Sequence, residues 1–292
     1  VFNPQFSGAG INGNTSNSNY HSMQVQLVKR LSHGFTNQTA YTWSKTLGVT
    51  GDDNTISTRD PRRERLDKSV LTFHRSHVIT SNGTYMLPFG PNQKFLASAP
   101  GWVERLAAGW QLGGLLRWSS GTPLSITAGG LTNIYQSATN TANILADLPD
   151  GRVTKQTDGS LPYYFQGLTP GAAGSDPGRA SVTTTNTLAT AYNRRAVFDA
   201  QGNPVLVNPA PGQVGSLGIR TIEGPPRFEL DMNLLKRVRI DERRQFEFRM
   251  DVVNVLNRPM FGNPNTDINS ASFGRISTAS EGRRFTIGAR LN

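Results

Sequence analysis

The chain has 292 residues, starts at Val1 rather than Met and shows no basic-then-apolar leader, so its start is expected to be internal to a longer protein. No run reaches the about eighteen apolar residues of a membrane helix, but a barrel strand needs only about ten alternating residues and escapes hydropathy averages. Cysteine is absent, which excludes disulfides, thiol catalysis and cysteine-held zinc. The formal charge of +10 is spread along the chain without a zinc-finger, basic-zipper or RNP1 pattern, so no nucleic-acid partner is expected. The charge reads as surface and lumen decoration suited to an anionic leaflet.

Period-two alternation dominates and helical stripes are nearly missing, which sets the class as all-β. In Tyr20 to Leu31, Met23, Val25, Leu27 and Leu31 oppose Gln24 and Gln26. In Phe35 to Leu47, Phe35, Tyr41 and Trp43 oppose Thr36, Gln38 and Thr42. Both apolar sets are odd-numbered, so the connection should hold an odd number of residues; Ser32-His33-Gly34 fits as a three-residue hairpin with Gly34 left-handed. Strands follow at His77 to Leu87 (Ile79, Tyr85, Leu87) and at Trp110 to Ser120 (Trp110, Leu112, Leu116, Trp118). Late in the chain Phe228, Leu230, Met232 and Leu234 oppose Glu229, Asp231 and Asn233. Phe246, Phe248, Met250 and Val252 then oppose Gln245, Glu247, Arg249 and Asp251. In the last run Phe285, Ile287, Ala289 and Leu291 oppose Arg284, Thr286 and Arg290.

These seven strands imply a segmented chain: 1–19 an extracellular loop, 20–127 four strands, 128–226 a long extracellular loop, and 227–292 three final strands. Short turns at one end and long loops at the other are the arrangement of an outer-membrane barrel. Glu229, Asp231, Glu247, Arg249, Asp251, Arg284 and Arg290 need water or partners, which a wet lumen supplies. On the opposite face Lys29, Lys45 and Lys236 lie near strand ends and are expected to snorkel to headgroups. The connections, rich in Gly, Asn, Ser, Thr and Pro, read as irregular loops.

The motifs of chemistry are weak. Gly8-Ala9-Gly10-Ile11-Asn12-Gly13 spells a dinucleotide loop but lacks the strand before it and the helix after it. His74 and His77 fall on opposite faces of a strand, which disfavours zinc, and Asp52-Asp53-Asn54 lacks the EF-hand spacing for calcium. No G-x-S-x-G elbow or Walker loop is present; no enzyme, cofactor or metal is expected. The densest charged loop, Arg59, Arg62, Arg63, Arg65 and Lys68, offers contacts for an anionic ligand or lipopolysaccharide, against the plainer reading of a solvated mixed-charge loop.

Tyr20-His21-Ser22-Met23-Gln24-Val25-Gln26-Leu27, Tyr41-Thr42-Trp43-Ser44-Lys45 and Tyr85-Met86-Leu87-Pro88-Phe89-Gly90 resemble segments of the Oar-like branch of TonB-dependent outer-membrane receptors. The resemblance continues in order through Gly109-Trp110-Gln111-Leu112, Ser120-Gly121-Thr122-Pro123-Leu124 and Val252-Val253-Asn254-Val255-Leu256-Asn257-Arg258-Pro259-Met260-Phe261-Gly262-Asn263-Pro264. It implies the C-terminal part of an antiparallel barrel of about 22 strands. The plug and TonB box would lie outside this chain, as would any carboxypeptidase-regulatory-like domain. It further implies import or Oar-like export of an unidentified ligand, energised by the TonB complex. The implied partners are the protein's own plug, the barrel-assembly machinery, outer-membrane lipid and lipopolysaccharide. Barrel proteins usually end in an assembly signal; Thr286, Gly288 and Leu291 fill its polar, glycine and apolar places, and the aromatic place falls just after Asn292, where a Phe is expected. Two other readings stay open: a plugless porin or adhesion barrel, and a soluble β-sandwich carbohydrate-binding module.

Overall fold

The computed structural model describes residues 16–49, 59–60, 63–91, 93–98, 100–128, 140–178, 194–210, 212–241 and 244–291. Its strands are β1 (Ser18–Ser32), β2 (Phe35–Gly48), β3 (Ser69–Val70), β4 (His77–Met86), β5 (Trp110–Ser119), β6 (Pro123–Leu124) and β7 (Asn143–Ile144). After these come β8 (Thr169–Pro170), β9 (Val197–Phe198), β10 (Pro204–Val207), β11 (Ile222–Glu223), β12 (Arg227–Arg239), β13 (Gln245–Val253) and β14 (Arg284–Leu291). One α-helix, α1 (Gly101–Ala107), and one 3-10 turn, Glu64–Asp67, complete the described elements. The long strands pair in the order β1-β2-β4-β5-β12-β13-β14, each antiparallel to its neighbour in the chain, and β3 adds to β2. This up-and-down meander leaves one edge of β1 and one of β14 unpaired among the described residues.

Register carries one face across the sheet. Met23 faces Trp43, Tyr41 faces Ile79, Ile79 faces Trp118, Trp118 faces Phe228, Met232 faces Val252, and Val252 faces Phe285. The opposite face is mainly polar, through Gln24, Thr42, Thr80, Arg117, Glu229 and, across the last pairs, Asp251 and Thr286, with Val78 and Leu115 among them. A one-residue slip anywhere would exchange the two faces, so the alternation in sequence and the pairing specify each other. The apolar face is uncovered: Met23, Leu27, Ile287 and Leu291 are 50, 65, 66 and 61% exposed. No second sheet lies against it among the described residues, which removes the sandwich reading.

The first hairpin departs from expectation. Its turn has two residues, His33 and Gly34, with φ of 52° and 75°, so both sit in the left-handed region that a type I′ turn requires. A two-residue turn alone would put the apolar sets of β1 and β2 on opposite faces. A bulge between Lys29 and Ser32 absorbs the extra residue and restores the common face.

The described parts of the long connections pack together. Residues 120–128, 140–178, 194–210 and 212–226 fold with the β13–β14 connection into a cap holding the main buried cluster, which includes Ile126, Phe165, Leu206, Ile268 and Phe273. Phe165 and Phe273, from the two different connections, stack with centroids 5.1 Å apart. A four-stranded sheet, β7-β10-β9-β8, frames one side, and β11 pairs with β6 above the β5–β12 junction. Asn208 and Asn269 bridge the two connections, with Asn269 Nδ2 donating to Asn208 Oδ1 at 2.8 Å.

A third connection, between β2 and β4, is tied in by Arg59, which is 5% exposed. Its Nε donates to Asp67 Oδ1 at 2.6 Å, and its Nη1 to Thr141 Oγ1 at 2.7 Å and to the carbonyls of Gly215 at 3.1 Å and Leu217 at 2.7 Å. Gly215 has to be glycine: a Cβ there would run into the Thr141 carbonyl. Because the ion pair is closed and buried, removing one partner strands the other charge. Asp67→Ala is expected to cost about 3–5 kcal/mol, felt in the cap. Limited proteolysis in detergent should then cut the cap while the sheet keeps its heat-modifiable mobility; unchanged protease resistance would refute the clamp.

Candidate functional site

The residues singled out from the sequence divide between three places. Glu229, Asp231, Glu247, Arg249, Asp251, Arg284 and Arg290 occupy the polar face of β12, β13 and β14. Arg117 Nη1 meets Glu229 Oε2 at 3.2 Å, Arg237 Nε meets Glu247 Oε2 at 2.8 Å, and Arg249 Nε meets Asp251 Oδ2 at 2.8 Å. The first two follow from register, since Glu229 faces Arg117 and Glu247 faces Arg237. Arg117 and Arg237 escaped the sequence reading; the signal that finds them is the cross-strand partner of each acid, which appears only once pairing is known. Asp231 Oδ1 accepts the backbone N–H of Asn254 at 2.9 Å, where β13 ends. Arg284 and Arg290 are exposed and make no ion pair among the described residues. Pairs this exposed contribute little stability, so their consequence is a hydrated face carrying both signs.

The charged loop does not form one patch. Arg59 is spent on the buried clamp, Arg63 Nε pairs with Asp60 Oδ2 at 2.8 Å, and Arg65 and Lys68 face solvent. Arg62 lies outside the described residues, as do Gly8 to Gly13, Asp52 to Asn54 and Asn292. On β14, Thr286 and Gly288 stand on the polar face and Leu291 on the apolar one. A Cβ at Gly288 would meet nothing within 4 Å, so local packing does not demand glycine there.

The lysines of the apolar face behave in two ways. Lys29 and Lys45 are exposed near strand ends. Lys236 does not snorkel: it is 7% exposed beneath α1, donating to the carbonyls of Leu106 at 2.6 Å and Ala108 at 2.7 Å. Its ammonium also sits 4.8 Å from the Trp110 ring centroid. The C-terminal end of the helix offers free carbonyls and partial negative charge, which is what a cation on an apolar face requires.

At the cap end, His74 and His77 have separate tasks. The His77 ring stacks near Tyr41, whose hydroxyl lies 2.9 Å from His77 Nδ1. His74, 6% exposed, accepts the Thr46 N–H at Nδ1 over 3.3 Å and reaches Ser76 Oγ from Nε2 at 3.2 Å. The buried phenols Tyr163 and Tyr164 are both pushed up to about 12 by burial, and Tyr164 donates to the Glu223 carbonyl at 2.6 Å.

An antiparallel meander with one mainly apolar face, one mainly polar face that is charged over β12 to β14, and an ordered cap at one end is the wall of an outer-membrane β-barrel. The chain belongs to the outer membrane beta barrel domain family, whose model matches residues 1–286, and its place is the bacterial outer membrane. No curated protein and no solved structure matches it.

His74 makes the cap's hold on β2 pH-dependent. Burial pushes its imidazole below the ordinary value of 6.5, with Glu223 opposing and Arg75 and Lys45 adding to the depression. The unfolded loop therefore binds the proton more readily than the folded one, so the contact is complete above about 6.5 and weakens as pH falls below it. Protonation also turns Nδ1 into a donor facing the Thr46 N–H. Amide exchange at Thr46, corrected for its intrinsic rate, should accelerate through that window; His74→Gln should abolish the pH dependence.

Proposed function

We propose that this chain is the barrel portion of a TonB-dependent outer-membrane receptor that moves a ligand across the outer membrane. The apolar face meets lipid, and the charged face of β12 to β14 lines the interior and meets a plug. The observation that carries the reading is the pair of open edges. In a bilayer, unpaired strand edges leave backbone groups unsatisfied at several kcal/mol each, so β1 and β14 need strands beyond this sheet. A wall completed by many more strands is wide enough to hold a plug, as about 22 strands would make it. The resemblance of the strand motifs to Oar-like receptors supports the same conclusion. On this reading the protein is a transporter and not an enzyme, and the cap is extracellular. Its assembly relies on the barrel-assembly machinery acting at the β14 edge, where Thr286, Gly288 and Leu291 lie. Its work relies on the TonB complex.

This chain holds no cysteine, so single cysteines placed in it report topology once any cysteine elsewhere in the full-length protein is replaced by serine. In intact cells making the full-length protein, an impermeant maleimide should label Asp158→Cys in the cap, and label His33→Cys in the short turn only after the outer membrane is opened. The purified full-length protein should bind the periplasmic domain of TonB and stay closed in a planar bilayer. An open channel that ignores TonB would overturn the receptor reading in favour of a plugless porin.

A further inference from the structure

A cavity of about 480 Å³ opens where the cap meets the sheet. Three cations, Arg152, Lys155 and Arg258, line it together with Tyr164, Phe228 and Phe261, and no acidic residue does among the described residues. Its position on the wall is fixed by Phe228, which shares the apolar face with Leu230 and Met232 and pairs across β5 with Trp118. The cavity therefore opens on the side of the wall that carries the exposed apolar residues, at the cap end of β12.

The cations are uncommitted. Arg152, Lys155 and Arg258 are all exposed, and none makes an ion pair among the described residues. The Arg258 guanidinium lies 5.7 Å from the Phe228 ring centroid, and its backbone N–H is fixed by Asn254 Oδ1 at 3.0 Å. The same device recurs two strands away, where the Arg283 guanidinium lies 5.2 Å from the Phe285 ring centroid. Arg283 Nη1 donates to the Val255 carbonyl at 3.2 Å, which places it on the turn that carries Arg258. Two guanidiniums, Arg258 and Arg283, thus stand over rings of the apolar face on β12 and β14. The acids Asp150 and Glu223 line the adjoining cavity instead, and Glu223 Oε1 is taken up by the Gly121 N–H at 2.9 Å.

We infer that this cavity seats the phosphorylated headgroup of an outer-leaflet glycolipid, with its acyl chains running down the apolar face from Phe228. The shape of the site selects that occupant over a free anion. Charge-assisted donors sit beside Phe228, a half-buried aromatic on the apolar face, so a ligand with phosphate at one end and hydrocarbon at the other satisfies both at once. The inference rests on the membrane orientation given under Proposed function, which the cysteine labelling tests separately from any binding result.

The test uses the full-length protein in phosphatidylcholine nanodiscs, titrated with bisphosphorylated lipid A, with retained lipid counted by native mass spectrometry. Three cations near the headgroup plane correspond to about 100-fold in affinity. Arg152→Ala, Lys155→Ala and Arg258→Ala combined should weaken binding by about that factor. Dephosphorylated lipid A should bind the unaltered protein as weakly as bisphosphorylated lipid A binds the triple variant, and inorganic phosphate should not displace the lipid. Heat-modifiable mobility checks that the triple variant still folds. If it does not, the single solvent-facing change Lys155→Glu carries the test, with the same direction expected. Equal lipid A binding by the folded variant, or full displacement by inorganic phosphate, would overturn the inference.

Discussion

Everything in this molecule follows from the need of each backbone N–H and C=O within a bilayer to find a partner beside it. Water is absent there, and a strand cannot satisfy itself as a helix does. Lateral pairing then becomes continuous, and continuous pairing with a side-chain period of two imposes one face on the whole sheet. The mainly apolar face from Met23 to Phe285 and the mainly polar face from Gln24 to Thr286 are the result. The bulge between Lys29 and Ser32 shows how strict the rule is, because a two-residue turn would otherwise have inverted β1 alone.

The same rule explains where the exceptions lie. A lysine on the apolar face is tolerated at Lys236 only because α1 brings two carbonyls over it, and at Lys29 and Lys45 because they stand near strand ends. Beyond the strands, water returns and the constraint relaxes. The chain can there bury a conventional core around Phe165 and Phe273 and spend an arginine on a buried clamp. The cap is thus a small globular structure built on connections, rigid where Arg59, Asn208 and Asn269 cross between them. A rigid cap holds the cations of its lower rim in place against the wall, which freely moving loops would not do.

The legible parts of the sequence are those whose cause is local. Every long strand announced itself through alternation, and Lys29 and Lys45 were placed by position in the run. The Arg59 loop was misleading for the opposite reason. A run of mixed charge reads as solvated, and nothing near Arg59 in sequence reveals that its guanidinium ends on carbonyls at Gly215 and Leu217. The turn at His33 and Gly34 was misread by one residue because the compensating bulge lies upstream, in a stretch with no distinguishing pattern.

The sequence by itself determined where the long strands lie, their two faces and the membrane as the solvent, since period-two alternation needs only neighbouring residues to be expressed. Tertiary structure alone decided which acid meets which arginine and that the long connections fold into a cap. It also decided that Lys236 hides under a helix, and that Arg152, Lys155 and Arg258 gather over Phe228. Apart from the local pair of Arg249 with Asp251, those outcomes join residues from ten to more than a hundred positions apart, and only the closing of chain segments on one another brings such groups within reach.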